Sequence, residues 1–436
     1  FFFFFYCKAR MLIFIITLLA LVAPTTISFR HTWETSAHMT FADMNAPKLL
    51  DDRELSFVSN HYRVFSMEKC SGAASGNTTE EYIYSTSSRL KQLDPTTKTI
   101  FYWATDQQGI RCYDAHVFFR SHKDWHLLDD NGNVVSNGHG PVLDFTNAEA
   151  SKWWSSYPLL GDDGKGNWRG EPIGQFLDGV LADGAHRPTY KNISSHRLDA
   201  LADAKFQAIG EMQRQFTALN SGEVMANGIN MYPPPNADPR YPNNFNLQVL
   251  NFSLAIMNEH TAAFESVIRS NASYNYQRVS EDLHAIDRAA AWDNHSRTVY
   301  VQTWPGMYSG VQQYPPVSSG GEPTPQTNDE WRDALRRHFS FAHALALVVA
   351  QTNVFWFYGS TWYSQSGGFI PCPNDVESCR APPEWYPDLK KPLGAPLGPR
   401  VEIDAYVWTR EFEHASVLLN LIHPNVSKVT FHAIEH

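Results

Sequence analysis

The sequence predicts an α/β chain folded as a (β/α)8 TIM barrel with a small C-terminal β element. Three observations predict it. Eight short apolar runs suited to buried strands recur along the 436 residues. Segments with helical spacing separate several of them, which implies βαβ units and a parallel sheet. No Gly-rich phosphate fingerprint accompanies the alternation, which favours a closed barrel over an open nucleotide-binding sheet. A composition of 43% hydrophobic and 18% charged residues is ample for such a core.

The expected strands are Phe57–Met67, Thr99–Ala104, Val142–Phe145, Gly174–Leu177, Val224–Asn227, Leu247–Met257, Val299–Thr303 and Asn353–Tyr358. Helical spacing marks Glu80–Leu93, Ala148–Tyr157, Ser195–Leu219, Asn275–Trp292 and Asn328–Ala350. In the third of these, Leu198, Leu201, Ala202, Phe206, Ile209, Met212 and Phe216 share one face. Residues 1–28 read as a leader, 29–55 as a lead-in, 56–399 as the barrel and 400–436 as the β element. In the last, Val401–Phe412 and Ala415–Ile422 suggest two antiparallel strands.

The leader predicts secretion. Lys8 and Arg10 precede an apolar run from Leu12 to Val22, and small and polar residues follow it. That run is short for a membrane span, so no span is expected once the leader is removed. Without Cys7, four cysteines remain and allow three pairings. Cys70–Cys112 and Cys372–Cys379 are the expected bridges. The first pair follows neighbouring strands, and the second closes a short Pro-rich loop. Glycosylation sequons stand at Asn77, Asn192, Asn251, Asn271, Asn294 and Asn425. There is no CxxC and no His pair at ligand spacing, so neither a metal nor another cofactor is expected. A net charge of −10 without a basic run argues against nucleic acid as a partner. The sequence is silent on oligomeric state.

A barrel places chemistry at the C-terminal ends of its strands. The residues just past the apolar runs are Glu68, Asp106, Asp144, Asp178, Asn227, Asn258-Glu259-His260, Trp304 and Tyr358. Unpaired acids there need an explanation, because burying a charge is costly. Glycoside hydrolysis supplies one, since it uses one protonated carboxyl and one carboxylate. Asp178, followed by Gly179, and Glu259 are the expected carboxylate pair. Similarity to retaining barrel families, in which strand four supplies the nucleophile and strand six the acid, implies Asp178 as nucleophile and Glu259 as general acid/base. Asp183 is the rival to Asp178. Asp144, Trp103, Asp106, His260, Trp304, Trp356 and Asn227 are expected to contact substrate, although Asp144 reads as well as a cap for the following helix. The motifs of α/β-hydrolases, zinc peptidases and nucleotide-binding loops are absent.

An ordered set of short motifs resembles a known family. They are Phe101-Tyr102-Trp103, the stretch Asp124-Trp125-His126-Leu127-Leu128-Asp129-Asp130-Asn131-Gly132, and Leu143-Asp144-Phe145-Thr146-Asn147. Trp153-Trp154, Phe176-Leu177-Asp178-Gly179 and Val407-Trp408-Thr409-Arg410-Glu411-Phe412 follow. Over roughly residues 57–422 this order is similar to the barrel glycosidases called hypothetical glycosyl hydrolase family 15, which are distinct from glucoamylases. One departure is Asp178-Gly179-Val180, where the family has other residues after its fourth strand. The resemblance implies the barrel fold and the reaction class but no specific sugar. Together with the leader, it makes the expected function that of a secreted hydrolase of O-glycosidic bonds in an oligo- or polysaccharide. Two alternatives stand beside it. One is a non-catalytic carbohydrate-binding barrel; the other is a polysaccharide lyase using a base near Arg120, Lys123 and His126.

Overall fold

The computed structural model describes residues 29–36, 39–41, 49–70, 72, 76–106, 111–138, 140–161, 167–168, 171–172, 176–220, 222–228, 247–261, 272–303, 328–358 and 386–433. Eight strands form one sheet: β1 (Met39–Phe41), β2 (Val64–Met67), β3 (Lys98–Tyr102), β6 (Gly179–Ala182), β7 (Glu223–Asn227), β8 (Ala255–Thr261), β9 (Thr298–Thr303) and β10 (Val354–Tyr358). A two-stranded hairpin of β4 (Asn167–Trp168) and β5 (Glu171–Pro172) lies between β3 and β6 in the chain. Every ladder in the large sheet is parallel. The sheet curls until Cα atoms of β10 lie within 8 Å of β1. This is the predicted barrel. Helices α1 (Asp52–His61), α2 (Thr79–Leu93), α3 (Ala115–Ser121), α4 (Ala148–Leu160), α5 (Ser195–Asn220), α6 (Ala272–Ala290) and α7 (Asn328–Val348) fill the crossovers.

Several expected boundaries move, each for a local reason. The run Phe57–Met67 splits, because Asp51 and Glu54 form a capping box that starts α1 before it. Glu54 N donates to Asp51 Oδ1 at 3.0 Å, and Asp51 N donates to Glu54 Oε2 at 2.7 Å. The stretch read as a lead-in contains β1 and the first turn of α1, so the barrel begins earlier than residue 56. Val142–Phe145 is not a barrel strand. Its Leu143 bridges His126 in an antiparallel excursion of the loop before α4. Leu247–Asn251 is a 3-10 turn, and β8 begins only at Ala255.

The C-terminal element has four strands where the sequence suggests two: β11 (Val401–Asp404), β12 (Val407–Glu411), β13 (Ala415–Asn420) and β14 (Lys428–Phe431), all antiparallel. Arg410 ties this sheet to the barrel. Its Nη1 donates to the carbonyls of Leu347, Val348 and Ala350 at 3.1, 3.2 and 2.6 Å. A cation there satisfies carbonyls that the C-terminus of α7 leaves without intrahelical partners. Cys70 and Cys112, which follow β2 and β3, are joined by a disulfide with Cα atoms 5.2 Å apart. Cys372 and Cys379 lie outside the described residues, as do the leader, Asn271 and Trp304.

Near that disulfide, Glu80 is fully buried beneath the start of α3. It accepts from the amides of Asp114 and Ala115 and from the Tyr157 hydroxyl, each at 3.0 Å. Burial nevertheless pushes its carboxyl up to about 7. An unfolded Glu titrates at about 4.3, so the folded chain holds this proton longer. The group's contribution to stability is therefore full below that value. It declines as pH rises to about 7, by about 1.4 kcal/mol per pH unit. Glu80→Gln does not titrate. The wild-type advantage over it, measured by urea unfolding at about pH 5 and about pH 7, is expected to shrink at the higher pH.

Candidate active site

The C-terminal ends of β2, β3, β6, β7 and β8 bring together Glu68, Lys69, Tyr102, Asp183, Asn227 and Glu259. The alternation of side chains along a strand places them there. On β3, Ile100 packs inside the barrel against Gly179, and Tyr102 follows two residues later on the same row. On β6, the row of Gly179 and Leu181 continues to Asp183. Met225 leads to Asn227 on β7, and Met257 leads to Glu259 on β8.

Asp183 and Glu259 share a donor. Asn227 Nδ2 lies 2.7 Å from Asp183 Oδ1 and 2.5 Å from Glu259 Oε2. The backbone amide of Gly184 also donates to Asp183 Oδ1, at 2.8 Å, and the Tyr102 hydroxyl donates to Oδ2. Both oxygens of Asp183 are thus held, which fixes the plane of its carboxylate. Lys69 Nζ donates to Tyr102 at 3.0 Å and to Glu68 at 3.3 Å. Burial, and then the charges of Asp183 and Glu259, push the Glu68 carboxyl up to about 7 against the pull of Lys69. Burial depresses the Lys69 ammonium, but Glu68, Asp183 and Glu259 together raise it. Burial, Asp183 and Glu68 raise the Tyr102 phenol well above its ordinary range, so it stays a donor.

The turn that carries Asp183 is braced from below. Gly184 has φ +70°, and a Cβ there would sit 3.0 Å from Thr105 Oγ1 and 3.1 Å from Asp106 Oδ1. Lys205 of α5, only 2% exposed, donates to the carbonyls of Gly184 and His186 at 3.1 Å each. Burial lowers its ammonium to about 8, while Asp106 and Asp183 oppose the shift. Asp106 therefore stands beside the Asp183 turn, at the rim of the site.

Asp178 is not in this cluster, and the expectation that it ends a strand is corrected. Strand β6 starts after it, at Gly179. Asp178 lies at the N-terminal end of the barrel, where it pairs with Lys91 at 2.5 Å and Lys98 at 3.0 Å and accepts from Thr99 N at 2.9 Å. Gly179 does serve a close approach, but to protein: a Cβ there would overlap the carbonyl oxygen of Glu223 on β7. The expected shared cleft of Asp178 and Glu259 does not exist, and Asp183 occupies the place assigned to Asp178.

Other expected contacts also move. Trp103 is 3% exposed, donates to the carbonyl of Trp154 at 3.0 Å and stacks on Tyr157 of α4. Trp356 is equally buried and stacks on His343 of α7 at 5.6 Å. Both rings face the helical layer, so neither is a sugar platform. Asp144 accepts from the amide and hydroxyl of Thr146, at 2.9 and 2.6 Å, in the turn before Asn147 caps α4. That is a local turn role, away from the cluster. His260 continues β8 past Glu259. The sequence reading left Tyr102 and Lys69 out of the site. Tyr102 was legible, since it sits one alternation beyond an inward apolar residue at a strand end, as Asn227 and Glu259 do.

No family model matches the chain, and no curated protein matches it. Among solved structures it is similar to the α-amylase from H. orenii, with 10% identity, 88% of this chain and 90% of that chain covered, and a TM-score of 0.46. It is similar to the PgaB (BpsB) glycoside hydrolase domain from Bordetella bronchiseptica, with 10% identity, 79% and 96% covered, and a TM-score of 0.41. It is also similar to a cyclic α-maltosyl-(1→6)-maltose hydrolase from Arthrobacter globiformis, with 11% identity, 92% and 88% covered, and a TM-score of 0.43.

Proposed function

We propose that this chain is a secreted, retaining glycoside hydrolase, with Asp183 as nucleophile and Glu259 as general acid/base. The observation that carries this reading is the single nitrogen, Asn227 Nδ2, bonded to both carboxylates. Two bonds of 2.7 and 2.5 Å laid end to end cap the separation of the bonded oxygens. That cap on the nearest oxygens falls short of the roughly 6.5–9.5 Å that inverting pairs need for a water, which supports a retaining site. In the first step Asp183 attacks the anomeric carbon while Glu259 protonates the departing glycosidic oxygen. A glycosyl ester on Asp183 results. Glu259, now a carboxylate, then takes a proton from water, and that water displaces Asp183 with a second inversion. Tyr102 and Asn227 hold the nucleophile in line. Lys69 and Glu68 stand at the adjacent strand end, where they can bind sugar hydroxyls.

The motif order that resembles hypothetical glycosyl hydrolase family 15 supports the same reaction class. Secretion is supported by the leader, by the Cys70–Cys112 bridge and by exposed sequons at Asn192, Asn294 and Asn425. Asn77 is half-buried beside the bridge. The test is a glycan-library screen followed by proton NMR of the first product formed. Release of the sugar with its original anomeric configuration is expected. Initial release of the opposite anomer would exclude Asp183 as a nucleophile.

A further inference from the structure

We propose a second site at the N-terminal mouth of the barrel, for a small tetrahedral oxyanion: a phosphate or sulfate, free or as an ester. A cavity of about 640 Å³ opens there. The segment 29–36, the first residues of β2 and β3 (Val64 and Lys98), and Phe355 of β10 line it. Glu68 and Tyr102 stand at the other ends of β2 and β3, so this cavity lies on the opposite face from the carboxylate cluster. Its lining holds four cationic side chains, Arg30, Arg63, Lys98 and Lys390, against one acid, Glu34.

Lys98 already faces Asp178. Arg30 donates to the carbonyl of His295, and neither Arg30 nor Arg63 forms an ion pair among the described residues. Two histidines on the wall each feel one of these cations. Burial lowers the imidazole of His61, and Lys390 lowers it further. Burial likewise lowers His31, and Arg30 adds to that shift against three backbone carbonyls. Concave walls of one charge sign concentrate potential and attract counter-ions. A guanidinium fork matches the oxygens of phosphate or sulfate, and Ser59, Asn60 and Thr96 add neutral donors on the same wall.

The test is calorimetric titration of the whole chain with inorganic phosphate and, separately, with a sulfated disaccharide. One saturable site is expected for at least one probe. Tighter binding of the disaccharide assigns the site to esterified anions; tighter binding of phosphate assigns it to the free ion. Arg63→Ala should weaken binding about tenfold or more, and Arg63→Ala with Lys390→Ala should remove it. Both side chains are exposed, so thermal unfolding of these variants should match wild type. Asp183→Asn should leave anion binding unchanged, which separates this site from the proposed hydrolysis. No saturable binding of either probe, or binding that survives the double substitution, overturns the proposal.

Discussion

Asp183→Asn is expected to lower turnover of an aryl glycoside by roughly 10⁴-fold or more, the scale seen when a covalent nucleophile is lost. The change keeps the side-chain shape. With the amide oxygen in the Oδ1 position the Gly184 amide and Asn227 still donate to it, and the new NH2 can donate to the Tyr102 hydroxyl oxygen. Fold and substrate affinity should therefore survive. Asp178→Asn is the contrasting variant. Asp178 accepts from Lys91, Lys98 and Thr99 at the far end of the barrel. Its neutralisation should cost about 2–3 kcal/mol of stability, less than a fully buried pair because Lys98 is more than a third exposed. Turnover per folded molecule should stay within a few fold of wild type. Steady-state kinetics beside urea unfolding of both variants separates the two acids. If Asp178→Asn were inactive while folded and Asp183→Asn kept full activity, the assignment made here would be reversed.

Glu259→Ala is expected to divide substrates by their leaving groups. Loss of a general acid/base costs typically 10²–10⁴-fold. For an unactivated glycoside that loss should appear in kcat/KM. A dinitrophenyl glycoside needs little protonation, so its first step should persist and the glycosyl ester on Asp183 should accumulate as a burst. Azide carries its own negative charge and needs no base, so adding it should restore turnover and give a glycosyl azide of retained configuration. The same addition to Asp183→Asn should not rescue along that path. A carbohydrate-binding barrel without chemistry would show neither burst nor rescue.

The pair Asp178 and Asp183 shows how a correct motif yields a misplaced residue. Both acids flank the same four-residue strand, and each has a glycine after it. The apolar run Phe176-Leu177 before Asp178 looks like a strand, yet the paired residues lie after it. Hydrogen-bonding register with β3 and β7 decides where a buried strand starts, and that register depends on partners distant in sequence. Trp103 and Trp356 misled for a related reason. Adjacent positions on a strand face opposite sides. Tyr102 points into the barrel towards Asp183, so Trp103 points out into the helices.

What the sequence by itself determined is the class of the fold and the order of most of its parts. Apolar runs of four to eleven residues alternating with segments of helical spacing admit few arrangements besides a parallel sheet wrapped by helices. Glu259 and Asn227 were also legible, because each lies one alternation past an inward-facing methionine, Met257 and Met225. Only the tertiary structure decided which carboxylate faces Glu259, and that Asn227 joins the two. Strand alternation and inter-strand register convert a shift of a few residues into the difference between the two ends of the barrel. A local pattern carries hydrophobicity, whereas the convergence of Glu68, Tyr102, Asp183, Asn227 and Glu259 arises from closing five strands around one axis.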